Sequence, residues 1–154
     1  MSEIEKRISD ANINLPVVSA PAAAYLPYTI SGNTVYISGQ LPMIDGEFTG
    51  KGHLGNNVTV EEGQKVARDC ALNVVAHLKN AVGGDLEKVK NALKLEILVA
   101  ATPEFTEPHV VANGASNLVL EIFGKEVGSH ARVAYGVATL PFGVAVEVAA
   151  TFEI

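Results

Sequence analysis

Apolar positions in this 154-residue chain recur with two different periods, and each change of period marks an element. Ile4 and Ile8 stand four apart behind Ser2, with Glu3 and Glu5 between them, which predicts a short amphipathic helix over residues 2–11 capped by Ser2. It ends near Asn14–Pro16. The three prolines and many alanines of Pro16–Pro27 predict extended coil. Tyr28–Ile30 and Thr34–Ser38 read as strands around Ser31-Gly32-Asn33, small residues suited to a tight hairpin. Met43–Asn57 holds four glycines and no period, and is expected to be a surface loop. Thr59 with Glu62 fits a capping box. From Val60 to Val82, apolar residues including Val66, Ala67, Cys70, Ala71, Val74, Val75 and Leu78 fall at spacings of three, four and seven. They predict an amphipathic helix of about six turns, ended by Gly83-Gly84.

Downstream, Leu93, Leu95, Ile97 and Val99 alternate with other residues as in a strand. Pro108 suits a first helical position, and Val110, Val111, Gly114, Leu118 and Phe123 follow with helical spacing. Arg132–Thr139 and Val144–Ile154 are β runs joined through Leu140-Pro141-Phe142-Gly143. In the last strand Val144, Val146, Val148, Ala150, Phe152 and Ile154 make an apolar face. Ala145, Glu147, Ala149, Thr151 and Glu153 make a small, polar one. The order α-β-β-α-β-α-β-β, with two long helices over one sheet, predicts one α+β layered domain over residues 1–154. Strands with small residues on their outer face suggest burial against copies of the same chain.

Composition narrows the functional classes. Hydrophobic residues make up 48% and charged residues 18%, a globular balance. Eleven Lys and Arg against 17 Asp and Glu give a net charge of −6, which disfavours a nucleic-acid partner. A single Cys excludes an intrachain disulfide and a cysteine-based zinc site. The charged start MSEIEKRISD does not read as a signal peptide, and no apolar run reaches membrane-spanning length. The expectation is a soluble, cytoplasmic protein without a membrane partner.

Familiar catalytic motifs are absent: there is no Walker loop, dinucleotide glycine fingerprint, HExxH or GxSxG. His53, His77, His109 and His130 lack ligand spacing, so no metal is expected, and Cys70 on the apolar helix stripe reads as core. Arg132 shares a strand face with Ala134, Gly136 and Ala138. A guanidinium beside such small residues either faces a cavity and grips an anion, or pairs with Glu147 or Glu153. Glu147 interrupts an apolar strand; it either orders a water or simply pairs with a cation. A tight turn at Pro141-Phe142 would leave Arg132 and Glu147 more than ~10 Å apart along the ladder. Either a bulge draws them together or they serve a site from different positions.

Several segments then carry a resemblance. Tyr25-Leu26-Pro27-Tyr28, Ile37-Ser38-Gly39-Gln40-Leu41-Pro42, and Ala131-Arg132 running to Leu140-Pro141 and Val146-Glu147-Val148 resemble the Rid (YjgF) family of reactive-intermediate deaminases, also called the endoribonuclease L-PSP group. The resemblance spans about Ala20 to Ile154. It implies a chorismate mutase-like fold, with a mixed sheet and two long helices on one face, to which a short N-terminal helix (extension 1–15) and a long loop (43–58) are added. It also implies a homotrimer with ligand clefts between subunits, and hydrolysis of 2-imino acids derived from 2-aminoacrylate to 2-keto acids and ammonia without metal or cofactor. By the same resemblance Arg132 clamps the substrate carboxylate, Glu147 attends the attacking water, Tyr25 lines the cleft, Ser38 and Gly39 form its floor, and Asn113 faces the ligand. His130 and Ala134 depart from the usual Pro or Ala and Cys, which marks a divergent subgroup. A carboxylate-binding trimer without catalysis is the alternative. A ribonuclease is opposed by the acidic balance, only nine aromatics and the lack of a His pair.

Overall fold

The structure is a computed structural model that describes residues 1–19 and 23–154. Helix α1 (Glu3–Asp10) begins with a reciprocal cap: the Glu5 N–H donates to Ser2 Oγ and the Ser2 N–H donates to the Glu5 carboxylate. Buried Ile4 and its N–H bond to Glu87 Oε1 (2.8 Å) fasten α1 to a short 3-10 turn, Leu86–Lys88. The extended coil expected over Pro16–Pro27 is free of helix and strand at its described residues, and Ala20–Ala22 lie outside them.

Strands β1 (Tyr28–Ser31) and β2 (Thr34–Gln40) form the expected hairpin, with Gly32 taking the positive φ of the turn. The stretch read as a surface loop is more ordered than that. It opens with a miniature hairpin, β3 (Met43–Ile44) and β4 (Glu47–Phe48), turned by Asp45 and Gly46, both at positive φ. It then folds inward: Leu54 is fully buried, and its N–H donates to the Ala100 carbonyl.

Helix α2 (Val60–Ala81) starts at the Thr59–Glu62 capping box and buries the predicted stripe, Cys70 included. Strand β5 (Asn91–Ala100) follows. A register shift between Ala92 and Lys94 leaves Leu93 39% exposed, so Ala92 rather than Leu93 joins Leu95, Ile97 and Val99 in the core. The second long helix is two pieces, α3 (Pro108–Val111) and α4 (Asn113–Gly128). Within α4 the backbone reverses at Gly124 (φ 73°, ψ 172°), a conformation open almost only to glycine. The reversal lays Gly128 back against Val119 and Leu120. Strands β6 (Ala131–Val137) and β7 (Val146–Glu153) complete the chain.

The five-stranded sheet has the order β1-β2-β7-β5-β6. A tight β6–β7 pairing does not occur. β5 lies between them, antiparallel to β7 and parallel to β6, and the α3–α4 segment makes the crossover that a parallel pair requires. Val146, Val148, Ala150 and Phe152 face α2 and α4, as their alternation predicted. At the helix N-termini Gly114 lets the two helices touch: a Cβ there would strike the Gln64 carbonyl. Among the described residues the opposite face of the sheet carries no helix, and Tyr36, Val133 and Tyr135 stand 50%, 39% and 45% exposed on it.

Candidate functional site

Arg132 pairs with Leu95 in the ladder and therefore points to the helix side of the edge strand, in line with Ala134 and Gly136. Its guanidinium reaches the α3–α4 junction. Nη1 donates to Asn113 Oδ1 (2.8 Å) and Ser116 Oγ (3.1 Å), and Nη2 donates to the His109 carbonyl (3.0 Å). All three acceptors are neutral. The ion pairs among the described residues, Arg7–Glu3, Arg68–Glu121 and Lys94–Glu96, leave Arg132 out, and Glu153 is engaged by Asn91 instead. A guanidinium has five N–H groups. Here Nε–H and one Nη2–H have no acceptor among the described residues. Nε and Nη2 share one edge of the planar group, an edge that can bind a carboxylate with two parallel hydrogen bonds.

The other expected residues collect elsewhere. Ser38 holds the preceding coil to β2: its Oγ donates to the Leu26 carbonyl (2.6 Å) and its N–H to the Pro27 carbonyl (2.9 Å). The register shift between Ile37 and Gln40 brings Gly39 against Glu147, where a side chain would collide with the carboxylate. Glu147 stands opposite Leu98 on the helix-free face, half-buried and outside every ion pair among the described residues. Tyr25 borders a cleft of about 830 Å³ together with Gln40, Leu41, Phe48, His77 and Phe142. Phe142, at φ 59°, stacks on Phe48 with ring centroids 4.8 Å apart. From the long loop, Asp45 also borders this cleft. His53 Nε2 instead meets the Ala138 carbonyl (2.8 Å), and Asn57 accepts from the His53 N–H.

The expected residues thus form separate clusters: Arg132 with Asn113, Gly39 with Glu147, and Tyr25 on the cleft, beside the coil that Ser38 ties to β2. Arg132 and Glu147 lie on opposite faces of the sheet with β5 between them and a three-residue offset. Their backbones are roughly 14 Å apart at standard strand spacings. One protomer cannot close both side chains on one small molecule. From sequence alone Ser116, His109 and His130 carry no site role; Ser116 and the His109 carbonyl accept from Arg132, and His130 meets Ser116. The available signal was the i,i+3 spacing of Asn113 and Ser116 at the start of a helix.

Burial raises the Glu147 pKa above its ordinary 4.5. The folded chain therefore holds this proton to higher pH than the unfolded chain. The carboxyl costs no stability well below pH 4.5, and stability falls as pH rises through the window above that value. Glu147→Gln is expected to raise the melting temperature at pH 7 and leave it unchanged at pH 4; thermal melts at both values check this. The Cys70 thiol is pushed well up, first by burial and then by Asp69 and Glu147, and its S–H faces the Val146 carbonyl at 3.2 Å, so it is held as an inert thiol. No helix among the described residues is long and apolar enough to cross a membrane.

Comparison with known proteins agrees with this architecture. Residues 5–152 match the family described as "YjgF/chorismate mutase-like, putative endoribonuclease". Protein TCP17 of Trypanosoma cruzi is 52% identical over 142 residues, covering 92% of this chain and 88% of that protein. The crystal structure of Atu1372 from Agrobacterium tumefaciens, a protein of unknown function, is 46% identical with a TM-score of 0.91, covering 98% of this chain and 92% of that one. That of a protein from Shewanella oneidensis MR-1 described as a putative endoribonuclease is 35% identical with a TM-score of 0.94, covering 99% and 100%. The chain belongs to the YjgF/chorismate mutase-like family.

Proposed function

We propose that the chain is a cytoplasmic homotrimer that hydrolyses 2-imino acids and their enamines, derived from 2-aminoacrylate, to 2-keto acids and ammonia in clefts between its subunits. The observation that carries this reading is the set of Arg132 donors left over by its neutral partners, Nε–H and one Nη2–H, on a full positive charge with no carboxylate against it among the described residues. Such donors suit a small carboxylate. The helix-free sheet face, with Tyr36, Val133 and Tyr135 exposed, supports association of copies through that face. Association also gives the separated clusters a way to meet, with Arg132 of one copy opposite Glu147 of the next.

The chemistry asks little of the protein. A protonated imine is already electrophilic, so the chain must fix its carboxylate and deliver one water. Arg132 holds the carboxylate, steadied by Asn113. Glu147 accepts a proton as the water oxygen bonds to C2, giving a tetrahedral amino alcohol. It returns that proton to nitrogen, then takes up the hydroxyl proton as the C–N bond breaks and C=O forms, and passes it to the departing ammonia, so that keto acid and ammonium leave and the carboxylate is restored. A carboxyl whose pKa is raised by burial is better matched to this exchange than an exposed one. No metal or cofactor is needed for this balance.

Subunit mixing tests the reading. Arg132→Ala and Glu147→Gln are each expected to lose keto-acid release from enzymatically generated 2-aminoacrylate. Co-expressed, they should recover up to about a quarter of wild-type activity, the share of interfaces joining an intact Arg132 to an intact Glu147. No recovery in verified mixed oligomers would place both groups in one subunit's site and overturn the arrangement. Pyruvate binding without turnover by the wild type would favour the carboxylate-binding alternative.

A further inference from the structure

Among the acceptors on Arg132, Ser116 is distinctive because it is buried and is itself engaged by a second side chain. His130 Nδ1 lies 2.7 Å from the Gly128 carbonyl, and its Nε2 lies 2.9 Å from Ser116 Oγ. A carbonyl can only accept, so the Gly128 contact places the imidazole proton on Nδ1. In the neutral ring Nε2 is then bare and accepts the Ser116 O–H. With its hydrogen committed to His130, Ser116 turns lone pairs toward Arg132 Nη1 at 3.1 Å. The bonds run in one direction, from guanidinium to hydroxyl to imidazole to backbone carbonyl.

We infer that Ser116 and His130 are positioning residues that hold the Arg132 guanidinium so that its Nε–Nη2 edge faces a bound carboxylate; the inference rests on the reading of Arg132 as the carboxylate site. Two features of the fold support it. Ser116 is only 7% exposed, so water is poorly placed to replace its hydroxyl, whereas Arg132 and the His109 backbone that it contacts belong to exposed residues. His130 reaches Ser116 because the chain reverses at Gly124: Gly128 returns beside Val119 and Leu120, and the next residues deliver the imidazole to the first turns of α4. Without an imidazole acceptor, a helical serine commonly turns its hydroxyl to the carbonyl four residues earlier. Arg132 would then keep Asn113 and the His109 carbonyl but lose the contact that fixes its tilt. An arginine free to sample other rotamers presents the binding edge only part of the time.

The test uses the full-length protein with pyruvate as the probe. Calorimetry should show Ser116→Ala and His130→Phe weakening pyruvate about 5–10-fold. His130→Gln keeps an acceptor near the former Nε2 and should bind within about twofold of wild type. In the keto-acid assay the first two variants should raise KM with kcat unchanged, and nitrogen–proton NMR of the wild type should show the His130 proton on Nδ1. The inference is overturned if Ser116→Ala binds as wild type, if His130→Gln is as weak as His130→Phe, or if the proton resides on Nε2. Arg132→Ala separates the two levels. If it abolishes pyruvate binding while Ser116→Ala binds as wild type, the relay alone fails. If it binds as wild type, the carboxylate reading fails and the relay with it.

Discussion

Arg132→Ala is expected to weaken pyruvate ~100-fold and to lower keto-acid release by a similar factor, the size of a lost two-point charged hydrogen bond. Folding should survive. Arg132 is an exposed residue on an edge strand, and its partners, the Asn113 amide, Ser116 hydroxyl and His109 carbonyl, are neutral groups. The melting temperature should move by only a few degrees. Arg132→Lys is the sharper comparison. A lysine keeps the charge but cannot hold Asn113, Ser116 and the His109 carbonyl while offering two parallel donors to a ligand. It should recover only a small part of the affinity. Calorimetric titration with pyruvate, alongside thermal melts, checks both variants. Full affinity in the lysine variant would mean that charge alone, and not the oriented edge, holds the anion.

The largest effect on stability is expected at Phe152. It is fully buried on central strand β7 and packs against Phe123, with ring centroids 6.0 Å apart. Phe152→Ala removes a large apolar side chain from between sheet and helices, where neither layer can collapse freely to fill the space. A loss of about 3–5 kcal/mol is expected, against less than about 1.5 kcal/mol for Phe152→Leu, which keeps most of the volume. Urea unfolding at matched protein concentration measures both, since association would make apparent stability concentration-dependent. Equal losses in the two variants would show that the site tolerates a void and that packing there is loose.

Both predictions concern residues that the sequence already singled out. Phe152 falls on the apolar positions of an alternating strand, and alternation encodes which face is buried. Arg132 stands out because a long cationic side chain among Ala and Gly has no neighbour of matching size. The caps at Ser2 and Thr59 were equally legible, because capping depends on residues three apart. Asp45-Gly46, the turn of the β3–β4 hairpin, carried a local signal that glycine content obscured. The exposure of Leu93 had no such signal, since a register shift is negotiated with the partner strand.

The sequence by itself determined the long helices and main strands, the caps at Ser2 and Thr59, most of the buried faces and the residues carrying unusual chemistry, because each is written in contacts between positions a few residues apart. Only the tertiary structure decided that β5 separates β6 from β7, which puts Arg132 and Glu147 on opposite faces of the sheet. It also decided that the reversal at Gly124 brings His130 to Ser116. The physical reason is that periodicity states which side of a strand or helix avoids water, while the neighbour that covers it is chosen by packing among distant segments of similar apolar character.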